Sequence, residues 1–478
     1  MEKDMDHPNV VLIVADQWRA DCLGRCGRHP VQTPHLDQLA DEGLHFHQAW
    51  ADAPICMAQR VTLLTGQVAA RFGHPGNWGS GQGPAIDRRA TLPALLRDQC
   101  GYQTRAIGKM HFEPARARHG FDHVCLHPND YVNWLEGTPW AGTYRGHGLG
   151  GNEVLPVVAA HPEPFTHTHW IVDQALDFCQ QREPGVPFLL QLIFEAPHAP
   201  FDPPAEVLPL YDHIAIPEPV CGDWTGARPS AMESDRLGGK LDRLDPAWVR
   251  EARRHYYAQC THIDHQLGRL FGELSKRGWW QDTLVIFTAD HGECLGDHGL
   301  FHKSHFLNAS ARVPLIVKPP RHLPNQVLAS NEAVMTADIM PTILAACGAQ
   351  PTAAVDGRNL LPALAGQPVG DSRLCGECGA YAFATDGRLK LCWYRHGGVA
   401  QLFDLHADPD DLHDLATQRP DDLARLQQQL AHWFTHHDRP HARDGALVTE
   451  PALNCDPAVL RRRNPCACRG PMRHGAGY

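Results

Sequence analysis

The sequence predicts an α/β protein, a large mostly parallel or mixed sheet sandwiched by helices, followed by a smaller C-terminal domain of antiparallel sheet plus helix. Three observations carry this. Strand-length apolar runs recur along the first three quarters of the chain, and segments of helical periodicity lie between them. From about Gly370 the texture changes to short alternating segments separated by Asp-Gly and Gly-Gly turns.

The strands of the large sheet are expected at Asn9 to Asp16 (NVVLIVAD), Thr104 to Lys109, Pro187 to Phe194, Thr283 to Asp290 and Val313 to Lys318. Such near-continuous apolar runs suit strands covered on both faces. Helices are expected at Pro34 to Gly43, Ala58 to Leu64, Leu92 to Gln99, Trp170 to Gln180, about Pro246 to Arg277, and Thr336 to Cys347. The small sheet falls at Ala380 to Thr385, Arg388 to Tyr394 and Val399 to Leu405, with turns at Asp386-Gly387 and Gly397-Gly398 and a helix from Asp421 to about Trp433. The resulting division is 1–368, 369–440 and an irregular tail at 441–478 that includes Arg461-Arg462-Arg463. Residues 126–165 and 198–245, rich in Pro, His, Trp and Gly, read as long loops suited to the walls of a specificity pocket.

The composition is that of a folded globular protein: 478 residues, 43% hydrophobic and 20% charged. A formal charge of −11 disfavours nucleic acid and anionic membrane as partners. The N-terminus MEKDMDHPNVVLIVAD lacks the pattern of a secretory signal, and the 16 cysteines are then read as reduced thiols, so a cytoplasmic location is expected. With 32 histidines in the chain, one histidine gains meaning only from its neighbours.

Chemistry concentrates where strands end. Asp16 and Asp290 close two expected strands, with Lys109 and His198 at or just past two others. Open α/β sheets bind ligands at the carboxyl ends of their strands. Two carboxylates converging there call for a divalent cation between them, and the Asp290-His291 pair adds an imidazole ligand. Asp297 and His298 repeat that pair farther into the loop and read as structural. In PICMAQRVTLLTG, Cys56 precedes a helix, where free N–H groups favour an anion or a lowered thiol pKa. Arg60, four residues on, would share its face and offer a planar cationic fork. Either this is a nucleophile with an anion clamp, or it is a buried structural cysteine and a surface arginine. Cys375-Gly376-Glu377-Cys378 and Cys466-Ala467-Cys468 have spacings that fit zinc poorly and are read as cysteines without a metal.

Cys56-Met57-Ala58-Gln59-Arg60 followed by Thr65-Gly66 resembles the signature of type I, formylglycine-dependent sulfatases of the alkaline-phosphatase-like superfamily. NVVLIVADQ, TPHLDQLADEGLHFHQAW, AIGKMHF, TADHGECLGDHG and LFDLHADPDDLHDLA resemble further segments of that family, in its order, from about residue 9 to 416. The resemblance implies that a formylglycine-generating enzyme oxidises Cys56 to an aldehyde whose hydrate is the nucleophile. It implies Asp16, Asp290, His291 and the modified Cys56 as metal ligands, with Gln17 as a further one. Gln17 and His291 depart from the commoner Asp and Asn and resemble the choline-sulfatase and phosphonate-monoester-hydrolase branches. That softer, less anionic set points to calcium first and manganese second. By the same resemblance Arg60 and Lys109 hold the hydrate, and His111 removes the hemiacetal proton. His198 and Lys303, the latter flanked by His302 and His305, bind the sulfate and protonate the leaving alcohol. Lys109, His198, Lys303 and Asn77 are the expected substrate contacts.

The activity so implied is hydrolysis of an alkyl, aryl or sugar sulfate monoester. A phosphonate monoester hydrolase or phosphodiesterase on the same site is the alternative, and a non-catalytic metal-dependent binding protein with unmodified Cys56 a further one. The resemblance often goes with dimers or tetramers, so a homo-oligomer is an expectation.

Overall fold

The computed structural model describes residues 7–79, 82–238 and 245–456. Its large sheet contains β1 (Asn9–Asp16), β2 (Leu44–Trp50), β3 (Gln103–Gly108), β4 (His123–Leu126), β5 (Phe188–Pro197), β6 (Thr283–Ala289), β7 (Arg312–Val313), β8 (Leu315–Lys318) and β9 (Ala329–Met335). The order is β4-β3-β5-β1-β6-β8-β2-β7, with β9 beside β2. The strands from β4 to β6 run parallel, and β8 is antiparallel to β6.

Every residue of β1, β5 and β6 is buried. Because side chains alternate between faces, burial at both parities means that both faces are covered. One group of mutually packed helices, Pro34–Asp41, His167–Gln181 and Pro246–Lys276, and a second, Cys56–Thr65, Leu92–Cys100 and Ile339–Ala346, supply the cover. Register then sets the site. Ala15 of β1 pairs with Ala289 of β6, so Asp16 and Asp290, the next residue on each strand, emerge side by side.

The C-terminal sheet is an antiparallel meander of β10 (Leu374–Cys378), β11 (Tyr381–Thr385), β12 (Leu389–Tyr394) and β13 (Val399–Asp404). One face packs on Leu426, Leu430 and Phe434 of the helix Pro420–His436. The other packs on the large sheet's side of the molecule, where Phe383 stacks between Trp50 and Phe306 at centroid distances of 5.3 and 4.6 Å. Phe383→Ala is expected to cost about 3–5 kcal/mol, read as a lower denaturant midpoint with an unchanged slope. A cost under about 1 kcal/mol would deny that this ring joins the two parts.

Several elements differ from expectation. β2, β4, β9 and β10 are not among the expected strands: histidine and glutamine interrupt the apolar pattern of β2, β4 is only four residues long, and Ser330, Asn331 and Glu332 interrupt β9. Cys375 and Cys378 lie three apart on β10 and point to opposite faces, one into each core, so they cannot share an ion. The tail begins with a hairpin, β14 (Ala442–Arg443) and β15 (Ala446–Leu447), closed by Asp444 and Gly445 at φ 50° and 76°. Two positive φ values are what a type I′ turn needs, and Asp-Gly supplies them. Arg461-Arg462-Arg463, Cys466 and Cys468 lie outside the described residues.

Candidate active site

Asp16, Cys56, Asp290 and His291 place one donor atom each within 4.8 Å of one another, all four residues buried. Asp16 and Asp290 come from the ends of β1 and β6, and Cys56 opens the helix Cys56–Thr65. That helix ends at Gly66, at φ 67°, whose N–H returns to the Thr62 carbonyl at 2.9 Å. The Thr-Gly of the sequence signature is therefore the helix stop. At the other end Asn77 Oδ1 accepts from Met57 N at 2.9 Å, capping one of the helix's orphan N–H groups beside Cys56.

The Cys56 thiol lies 3.2 Å from His291 Nε2 and 3.7 Å from Asp16 Oδ1. His291 Nδ1 faces the Gly292 carbonyl at 3.0 Å, which can only accept, so the proton sits there and Nε2 turns its lone pair to the cluster. Burial opposes ionisation of Cys56, but the Lys303 charge and a hydrogen bond from His111 help pull the thiol well below its ordinary range. Burial likewise pushes Asp16 up, as does Cys56, yet Lys109, His198 and Arg60 hold it at about 2. Burial and the neighbouring Asp16 charge push Asp290 above the ordinary carboxylate range. A divalent cation among these donors would relieve that repulsion, and the oxygen, nitrogen and sulfur donor set fits one.

Arg60 does not present an open fork. Its Nη2 lies 2.9 Å from both Asp16 Oδ2 and Asp290 Oδ2, its Nε 3.1 Å from Asp290 Oδ2, and its Nη1 donates to the Lys109 carbonyl. The expected anion clamp is thus a bracket across the two carboxylates. Lys109 Nζ reaches Asp16 Oδ2 at 2.9 Å. Gly108 before it has φ 109°, and a Cβ there would meet the Ile193 carbonyl oxygen at 2.0 Å, so only glycine lets β3 run this close to β5.

His198 and Lys303 meet, Nε2 to Nζ at 2.6 Å. His198 Nδ1 faces the Ala199 carbonyl at 2.8 Å, so its Nε2 accepts from the Lys303 ammonium. Lys303 also donates to Gln17 Oε1 at 2.6 Å. Gln17 therefore faces Lys303 and Glu293 with its side chain, while its backbone N–H, at φ 72°, donates to Asp290 Oδ1 at 3.1 Å. His305 lies against Cys294 instead, at 3.5 Å, and the backbone N–H of His302 donates to Glu293 Oε1 at 2.6 Å. Asp297 is structural, bound by Arg19 and Arg253.

Two carboxylates escaped the sequence reading. Glu293, fully buried, accepts from the N–H groups of Leu295 and His302 and from Gln17 Nε2, pinning a loop in which Leu295, His298, His302 and Ser304 all have positive φ. Glu195 faces Lys109. Glu293 lies inside the family-like segment TADHGECLGDHG and Glu195 three residues before His198, and these positions are the only signal that could have found them.

A family model described as Sulfatase matches residues 8–349. An arylsulfatase of Clostridium perfringens is 31% identical, covering 85% of this chain and 90% of that one. The chain belongs to the sulfatase family. A multifunctional alkaline phosphatase superfamily protein, PehA, of Trinickia caryophylli is 32% identical over 76% of this chain and 78% of its own length. The crystal structure of a phosphonate monoester hydrolase of Agrobacterium radiobacter superposes with a TM-score of 0.75 at 25% identity, over 90% of this chain and 96% of that one. Sulfatases of this family use a metal ion and formylglycine.

Proposed function

We propose that this member of the sulfatase family hydrolyses a sulfate monoester to an alcohol and inorganic sulfate, with position 56 carrying formylglycine made by a generating enzyme. The observation that carries it is the convergence of Cys56 with Asp16, Asp290 and His291 at the carboxyl ends of β1 and β6. Those four residues would hold one divalent cation, calcium ahead of manganese, with Gln17 at its edge. When bound, the cation neutralises the paired carboxylates and draws negative charge toward itself, and the formylglycine hydrate supplies the nucleophilic oxygen.

The remaining steps belong to side chains. Arg60 brackets Asp16 and Asp290 and fixes their separation. Lys109 holds positive charge beside Asp16 and the nucleophile. Once the sulfate has passed to one oxygen of residue 56 and the alcohol has left, His111, within hydrogen-bonding reach of residue 56, takes the proton of the remaining hydroxyl; the C–O bond to sulfate then breaks, inorganic sulfate departs and the aldehyde returns for hydration. Lys303 and His198 bind the sulfate oxygens and pass a proton to the leaving oxygen, the ammonium feeding Nε2. Asn77 fixes the start of the nucleophile's helix.

The second reading, hydrolysis of phosphonate monoesters or phosphodiesters, draws on the phosphonate monoester hydrolase similarity. Comparing kcat/KM on matched aryl sulfate, phenylphosphonate monoester and phosphodiester substrates separates the two. The sulfate is expected to give the highest value; a phosphonate preference of tenfold or more, about 1.4 kcal/mol, would favour the second reading. The proposal includes a cytoplasmic location, in keeping with the reading of the cysteines as reduced thiols; recovery of native protein from the periplasm would contradict it.

A further inference from the structure

We propose that Glu195 is a positioning residue for this hydrolysis, fixing Lys109 as a second carboxylate partner beside Asp16; the proposal rests on the reading of the site given above. Glu195 stands on β5, three residues before His198, and is 3% exposed. Its Oε1 lies 3.4 Å from Lys109 Nζ, whose other carboxylate partner is Asp16 at 2.9 Å. A lysine ammonium rides on a flexible stem, and one charge contact leaves it free to swing. A second carboxylate contact restricts that swing.

The strut continues beyond Glu195. Oε2 lies 2.9 Å from Arg145 Nη2, accepts from the Tyr144 hydroxyl, and stands 3.5 Å from His127 Nε2. Arg145 is held in turn by Asp202 Oδ2 at 2.8 Å, which also meets His147 Nε2 at 3.0 Å. Arg145, Glu195, Lys109 and Asp16 thus form a buried chain of alternating charge that ends at the nucleophile, with half-buried Asp202 at its outer end. It also ties the 126–165 loop, through Tyr144 and Arg145, to the same lysine. His127 and His167 bring donor atoms within 4.8 Å of Glu195. A metal there would nonetheless add a third positive charge to a carboxylate already balanced by Lys109 and Arg145.

Glu195→Gln keeps the shape and removes the charge. In the metal-loaded enzyme it is expected to lower kcat on an aryl sulfate by about 10–100-fold, the range for residues acting through a neighbour, with KM within about threefold and metal content unchanged. Placed on Lys109→Ala it should cost less than about threefold more, because its effect passes through the missing amine. A full multiplicative loss in that background, or wild-type turnover in the single variant, would overturn the proposal. Should Glu195→Gln not fold, Glu195→Asp retains the charge and shortens its reach to Lys109, and the same cycle applies. A turnover-free arm compares acylation of Lys109 with that of exposed Lys276 by peptide mass spectrometry. At least about fivefold faster labelling of Lys109 in the variant supports the strut; equal labelling overturns it. Wild-type protein inactive on every ester would count against the proposed function alone, since the labelling arm still decides the role of Glu195.

Discussion

Asp290→Ala is expected to lose the metal and, with it, at least about a thousandfold of the turnover, roughly 4 kcal/mol of transition-state stabilisation. Asp290 is engaged on both oxygens. Oδ2 meets Arg60, and Oδ1 takes the N–H groups of Gln17 and His291 at 3.1 and 3.0 Å. Alanine removes one of four clustered donors and leaves Arg60 with Asp16 as its remaining carboxylate in the cluster. It also removes a buried like-charge pair, so the metal-free fold is not expected to weaken in proportion. Elemental analysis beside turnover checks both parts. Full metal content with normal turnover in this variant would overturn the site assignment.

Lys303→Ala is expected to keep its metal and lose rate. The ammonium touches no clustered donor; it sits 2.6 Å from His198 Nε2 and 2.6 Å from Gln17 Oε1. Removing a group that delivers a proton to the leaving oxygen costs about 10²–10⁴-fold on a poor leaving group. Nitrophenolate needs no such proton, so the deficit should shrink along a series from alkyl to nitrophenyl sulfate. Equal losses across the series would leave Lys303 as a charge clamp only.

The strand ends were legible in the sequence because a buried parallel strand is an apolar run, and a polar residue closing it stands out. Asp16 and Asp290 were found that way, and the register of β1 against β6 makes them neighbours. Cys56 and Arg60 were legible as a pair on one helix, but the direction of the guanidinium was not. Spacing fixes a shared face, whereas the pull of two carboxylates from other strands turned the fork inward. Glu195 and Glu293 were invisible for the same reason, since each acts on partners far away in the chain. β2 and β9 carry polar residues that the sheet buries or edges, which hides a strand from any rule based on continuous apolarity. Asp444-Gly445 is a turn signal in the sequence, but the two-residue strands beside it are too short to show alternation.

Hydrolysis of a sulfate monoester through formylglycine stands or falls on the chemical state of residue 56. Mass spectrometry of the peptide containing it, in protein isolated from its own host, reads that state without assuming a substrate. The expected result is an aldehyde, or its hydrate, in place of the thiol at Cys56. An unmodified thiol in that material would contradict the mechanism and favour a metal-dependent binding protein on the same scaffold.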